Sequence, residues 1–255
     1  MTDDPALPAG LQLLRLGDAS SARSACIEHA RGGAAEGTLV WVEHPSQPRG
    51  RDGRAWQEGP TPGLHAALLL RPGLPAAECA QLGPVASVAL ARAIADQVQP
   101  MTELHYRWPN DVLLDGGKVA GVWLDAAGAP ERLDWLVVGW AINTRTAPAS
   151  LGFDAAALER EGQSGVIDHA ALLQAIARQL VAAITTWDEA GFEPLLRSWR
   201  GRLALGGPIR VAGAGEAAVA GTAESVDDAG ALTVRADTAT HEVTLRRFFG
   251  LPRDG

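Results

Sequence analysis

The segment Arg107-Trp108-Pro109-Asn110-Asp111 is followed, after Asp115-Gly116-Gly117, by Lys118-Val119-Ala120-Gly121. Two short strands around that turn would aim an amide, a carboxylate and an ammonium at one place. Asp-Gly-Gly supplies the positive φ a tight hairpin needs. The apolar runs 112–114 and 119–124 read as the strands, with Trp108-Pro109 as an extended lead-in to the first. A lysine fixed beside a carboxylate can hold a phosphate and an attacking carboxylate together, as an acid-activating nucleotide site requires. An isolated lysine after Asp-Gly-Gly is more often a solvated turn residue.

Arg49, Arg51 and Arg54 stand among Gly50 and Gly53 and lead to Trp56. Guanidinium forks match phosphate and carboxylate oxygens, and the glycines allow close approach and movement. The segment 45–63 therefore reads as a basic loop, disordered when empty and closed over a bound ligand. A merely flexible loop has the same composition. Asn110-Asp111 and Asn143 could equally be turn residues.

These groups must be carried by ordered elements. The pattern predicts a strand over 11–16, a helix over 19–31 ended by Gly32-Gly33, a strand over 38–43 and a buried strand over 65–71. Apolar spacing predicts a helix over 84–98, a strand over 135–142 and a long helix capped by Asp168. Beyond Gly206-Gly207 only short β segments recur, divided by turns such as Asp227-Asp228-Ala229-Gly230, which suggests a small β-barrel. The reading is α+β (α/β): a mixed-sheet domain flanked by helices over 1–201, and a small β domain over 202–255.

At 255 residues and 47% hydrophobic composition the chain can bury a sizeable core. A net charge of −8 argues against a nucleic-acid-binding face. No apolar run suggests a membrane span, and the acidic N-terminus does not resemble a signal peptide. Cys26 and Cys79 read as buried thiols of a reducing compartment, and no His/Cys cluster has metal-ligand spacing. These features point to a cytoplasmic protein.

The motifs resemble those of the biotin protein ligases. That family carries Lys/Arg-Trp-Pro-Asn-Asp and then Lys-x-x-Gly, an upstream Gly-Arg-Gly-Arg-x-Gly-Arg-x-Trp loop, and a downstream Gly-x-x-Ile-Asn-like strand end. Here Pro48-Arg49-Gly50-Arg51-Asp52-Gly53-Arg54-Ala55-Trp56 and Gly139-Trp140-Ala141-Ile142-Asn143 correspond. The resemblance runs from about residue 14 to 249, and it implies an SH3-like form for the C-terminal barrel. It implies ATP with Mg²⁺, biotin as co-substrate, and transfer of biotin to a lysine of a biotin carboxyl carrier protein. It assigns Lys118 and Arg51 to the chemistry, and Ser20, Ser21, Arg49, Gly50, Arg51, Lys118 and Gly121 to biotin. It assigns Arg54, Trp56, Asn110, Asp111 and Asn143 to the nucleotide. Too few residues precede the first strand for the DNA-binding domain that some members carry, and an exposed sheet edge is the candidate face for a homodimer.

Four positions depart from the family pattern. Asp18-Ala19-Ser20-Ser21 lacks the family's asparagine, Pro45 stands for a glutamine, Pro48 for a glycine, and Trp140 for a small residue. They fall mostly on the biotin side, so adenylation is better supported than biotin specificity, and biotin should bind more weakly than in an intact member. A lipoate- or octanoate-type ligase and a degenerate, non-catalytic ligand-binding paralogue are the alternatives.

Overall fold

The structure is a computed structural model, and it describes residues 4–98, 102–149, 153–159, 167–213 and 216–253. The chain opens with β1 (Gln12–Ala19), α1 (Ala22–Arg31) and β2 (Thr38–Pro45), a crossover that leaves β1 and β2 parallel. Then come β3 (Leu64–Leu70), a short α2 (Ala76–Cys79), α3 (Leu82–Ala95), β4 (Leu104–Arg107), β5 (Asp111–Leu114), β6 (Gly117–Ala129) and β7 (Arg132–Ile142). The strands form one mixed seven-stranded sheet in the order β1-β2-β3-β7-β6-β5-β4. After α4 (His169–Ala190) and α5 (Glu193–Arg200), strands β8 (Pro208–Val211), β9 (Val219–Val226), β10 (Leu232–Arg235) and β11 (Thr240–Val243) precede α6 (Leu245–Phe249). They make an antiparallel sheet, β11-β10-β9-β8.

Both faces of the large sheet are covered, which explains why β3 is buried at every position rather than alternating. Leu64, Ala66 and Leu68 join Val122, Leu124, Val138 and Trp140 in the core shared with α3 and α4. Ala67, Leu69, Val40, Val42 and Val137 pack on the other side against Ala22, Ala25 and Cys26 of α1. The α4 helix is long and apolar enough to cross a membrane by length and composition. Its Leu172, Leu173, Ile176 and Leu180 nevertheless belong to the core, the mark of a buried helix in a globular fold.

Several expectations are corrected in detail. The helix begins at Ala22, not Ala19, because β1 runs on to Ala19 and Ser21 takes the N-cap. Trp108-Pro109 is not an extended lead-in: Arg107 pairs with Asp111, so Trp108-Pro109-Asn110 are the tip of a hairpin whose first strand, β4, has an alternating Leu-His-Tyr-Arg pattern. The Asp115-Gly116 turn does join β5 to β6, with φ of 46° and 84°. In the C-terminal β unit the ladder is open at β8 and β11 among the described residues, and α6 was not expected. That unit is tied down by Trp108, whose Nε1 donates to the Gly230 carbonyl at 2.9 Å and whose ring meets Phe248 edge-on at 5.1 Å. Gly83 of α3 leaves the space that Phe249 fills.

Ser21 is 1% exposed; its Oγ accepts from the Ser24 amide at 3.1 Å and shares a 2.8 Å hydrogen bond with Ser24 Oγ. Ser21→Ala should therefore lower stability by about 1 kcal/mol, the usual cost of a lost N-cap. Equilibrium urea unfolding checks this. An unchanged midpoint would show that the hydroxyl is not a structural cap.

Candidate functional site

Lys118 and Gly121 are three apart in β6, which in a regular strand would place them on opposite faces. A β-bulge resolves this: Val112 pairs with Ala120 but Leu113 pairs with Lys118, leaving Val119 as the extra residue. Both residues then face the same side, where a Cβ at Gly121 would lie 3.2 Å from Lys118 Nζ and 2.9 Å from the Trp56 ring. A side chain there would press into the Trp56 ring and crowd the lysine end, so glycine keeps this part of the floor open.

Asp111 organises the charges. Its Oδ1 lies 2.6 Å from Lys118 Nζ, and its Oδ2 accepts from Arg107 Nη2 at 2.6 Å and Nε at 3.0 Å. The residue is 8% exposed. Burial pushes its carboxyl up, but Lys118 and Arg107 together outweigh it and hold the group below its ordinary value. Lys118 Nζ also sits 4.9 Å from the Trp56 ring centre, and Arg107 lies 5.0 Å from that of Phe153.

Around this cluster opens a cavity of about 730 Å³. Gly50, Arg51, Arg54, Trp56, Asn110, Asp111, Lys118, Gly121 and Asn143, all picked from the sequence, line it. Arg107, Trp123, Phe153, Arg210 and Phe248 line it as well and were not picked. Arg107 was legible, as the first residue of the motif; the others meet the cavity only through tertiary folding.

The two asparagines are engaged with backbone. Asn110 Nδ2 donates to the Val122 carbonyl at 2.6 Å, and Asn143 Nδ2 to the Ala156 carbonyl at 3.1 Å. The strap at Asp154–Ala156 also bonds the Lys118 backbone on both sides, with Lys118 N to Asp154 O at 2.8 Å and Ala156 N to Lys118 O at 2.9 Å. With both of its carboxylate oxygens taken by cations, Asp111 is poorly suited to ligate Mg²⁺. Among the described residues no group of three His, Cys, Asp or Glu could hold a metal ion.

The basic loop makes backbone hydrogen bonds of its own. Gly50 N donates to Arg54 O and Trp56 N to Pro48 O, closing a small hairpin around the turn at Arg51–Gly53. Arg51 Nη1 donates to the Phe248 carbonyl at 2.9 Å, pairs with Asp52 at 2.6 Å, and stacks 4.0 Å from the Phe248 ring centre. Burial lowers its pKa from the ordinary value. Arg54 stays largely in solvent.

Three expected residues stand outside the cavity. Ser20 is exposed, Ser21 caps α1, and Arg49 turns to Gln47 and the Gly53 carbonyl. Trp140 faces the α3/α4 core, so it does not crowd the site; Pro45 ends β2 in register with Ala19.

The Asp111 shift fixes a pH dependence. A carboxyl held below its ordinary 3.8 stabilises the fold fully above that value and loses this contribution as pH falls through the lowered one. Asp111→Asn should cost about 2–3 kcal/mol at neutral pH, since Lys118 and Arg107 keep some solvent contact, and should shrink the loss of stability below pH 4. Unfolding midpoints across pH 2–7 check it; parallel profiles for parent and variant would remove Asp111 from this role.

Residues 51–201 match the model of the biotin/lipoate A/B protein ligase family. A biotin–[acetyl-CoA-carboxylase] ligase of Paracoccus denitrificans is 36% identical over 79% of this chain and 86% of its own. One from Mycobacterium tuberculosis is 31% identical over 80% and 75%. The bifunctional ligase/repressor BirA of Bacillus subtilis is 30% identical, but the match spans only 48% of its length. Among solved structures, biotin protein ligase from Aquifex aeolicus in complex with biotin and ATP has a TM-score of 0.75 at 21% identity, over 93% of this chain and 97% of that one. A biotin protein ligase-like protein of unknown function from Silicibacter sp. has a TM-score of 0.76 at 24% identity, over 95% and 97%. The family model spans more than half of the sequence and two relatives exceed 30% identity over most of their length, so the chain belongs to the biotin/lipoate A/B protein ligase family.

Proposed function

We propose that the chain is a biotin–protein ligase: it adenylates biotin with ATP, taken as its Mg²⁺ complex, and passes the biotinyl group to a lysine of a carboxyl carrier protein. The observation that carries this reading is Lys118, held at 2.6 Å by Asp111 across the bare floor at Gly121. The identity to named ligases supports the choice of acid and carrier. Its free thiols, ATP and carrier suit a cytoplasmic setting.

In the first half-reaction a biotin carboxylate oxygen bonds to the α-phosphorus of ATP while the bond to the bridging oxygen breaks and pyrophosphate leaves. Two anions must meet, and the cavity offers cations for both: Lys118 between them, with Arg107 and Arg54 for phosphate oxygens. Asp111 keeps Lys118 and Arg107 oriented without supplying a proton. Arg51, already drawn to the cavity wall, shields the mixed anhydride from water. In the second half-reaction the carrier lysine's amine attacks the acyl carbon, AMP departs, and the amine loses a proton as the amide forms. Retention of Lys118, Arg51 and Arg54 in one cavity favours turnover over a ligand-binding remnant.

Lys118→Ala should reduce biotin-dependent pyrophosphate release by at least about 100-fold, the scale of a lost transition-state electrostatic contact. Its circular dichroism should stay that of the parent, because Arg107 still pairs with Asp111. Pyrophosphate release at the parent rate would contradict the assignment.

A further inference from the structure

Along β6, the side chains of Ala120, Val122 and Leu124 join the helical core, while Gly121 and Trp123 line the cavity from the other face. Trp123 is register partner to Gly139 of β7, and its indole covers that glycine so closely that a side chain at 139 would collide with Nε1 and Cε2. The ring is 1% exposed, lines the cavity, and belongs to neither hydrophobic core cluster. Its Nε1 finds no hydrogen-bond partner among the described residues. Trp41, Trp56, Trp140 and Trp199 leave theirs unbonded in the same way, so what marks Trp123 is the place of its ring beside the cavity and over Gly139. Two residues further along β6, Asp125 is paired with Arg23 of α1.

The floor therefore rises from a bare glycine to an indole within one two-residue step, about 6.6 Å of strand. An acid whose carboxylate rests at Lys118, over Gly121, meets Trp123 with its distal part. We propose that Trp123 is a specificity-determining residue that sets the depth of the acid pocket: the indole occupies the hollow over Gly139 and disfavours bulk at the far end of the acid. This rests on the adenylation reading above and adds which feature of the acid is measured: a slim alkanoate passes the indole, and a bicyclic acid such as biotin is the one it penalises.

The test is acid-dependent pyrophosphate release with Mg²⁺–ATP and either biotin or octanoate, for the parent, Trp123→Leu and Trp123→Phe. The ratio of kcat/KM for biotin over octanoate should rise about tenfold in Trp123→Leu, within the range that pocket size controls. Trp123→Phe should lie between, and KM for ATP should stay unchanged in both. A ratio that is unchanged or lower overturns the proposal; a lower one would make the indole a surface on which the biotin ring packs. Should Trp123→Leu fail to fold, Trp123→Phe decides by the same sign. If no protein releases pyrophosphate with either acid, the adenylation reading fails, and calorimetric Kd ratios for the two acids decide Trp123 by the same criterion. Absence of binding of both acids to all three proteins overturns it too.

Discussion

The site depends on one buried carboxylate. Asp111 is nearly sealed from water, and a lone anion there would be strongly disfavoured or would take a proton. Lys118 and Arg107 keep it ionised, and in doing so each is held in place, with its long chain ordered before any ligand arrives. Preorganised cations cost no rearrangement when negative charge builds up nearby. The backbone serves the same end. The bulge at Val119 turns Lys118 to the floor, Gly121 leaves it room, and the strap at Asp154–Ala156 fixes its peptide group.

Around that centre the two sheets share one purpose. Trp108, at the tip of the β4–β5 hairpin, bonds Gly230 and meets Phe248, so the small C-terminal sheet is anchored two residues from Asn110. Phe248 in turn receives Arg51 of the basic loop through its carbonyl and its ring. A change in how α6 docks on α3 at Gly83 would thus reach Arg51 through packing alone.

How much was legible in the sequence follows from how local each signal is. The Asp115-Gly116 hairpin, the Asp168 cap and the buried β3 and β7 are local patterns, and they stand as read. The cavity residues on contiguous motifs, from Arg51 to Trp56 and from Asn110 to Gly121, also come together. Ser21 caps α1 and does not line the cavity; a hydroxyl before a helix serves a cap as readily as a ligand, and type alone does not separate the two. Trp140 and Trp123 were exchanged in importance for a related reason. Which face of a strand buried on both sides meets the site is set by register and by the bulge, neither of which shows in an apolar run. Phe153, Arg210 and Phe248 arrive from distant segments and carried no signal at all.

The central claim is that the Asp111-held cations bring a carboxylate and the α-phosphate of ATP into reaction. Its most direct test omits the carrier protein, mixes the parent chain with biotin and Mg²⁺–ATP, quenches in acid, and weighs the products by mass spectrometry. Biotinyl-AMP should be retained at about one equivalent per chain, with one pyrophosphate released for each, because the cavity shields the anhydride from water. ATP consumed to ADP or AMP with no mixed anhydride, or no ATP consumed at all, would contradict it.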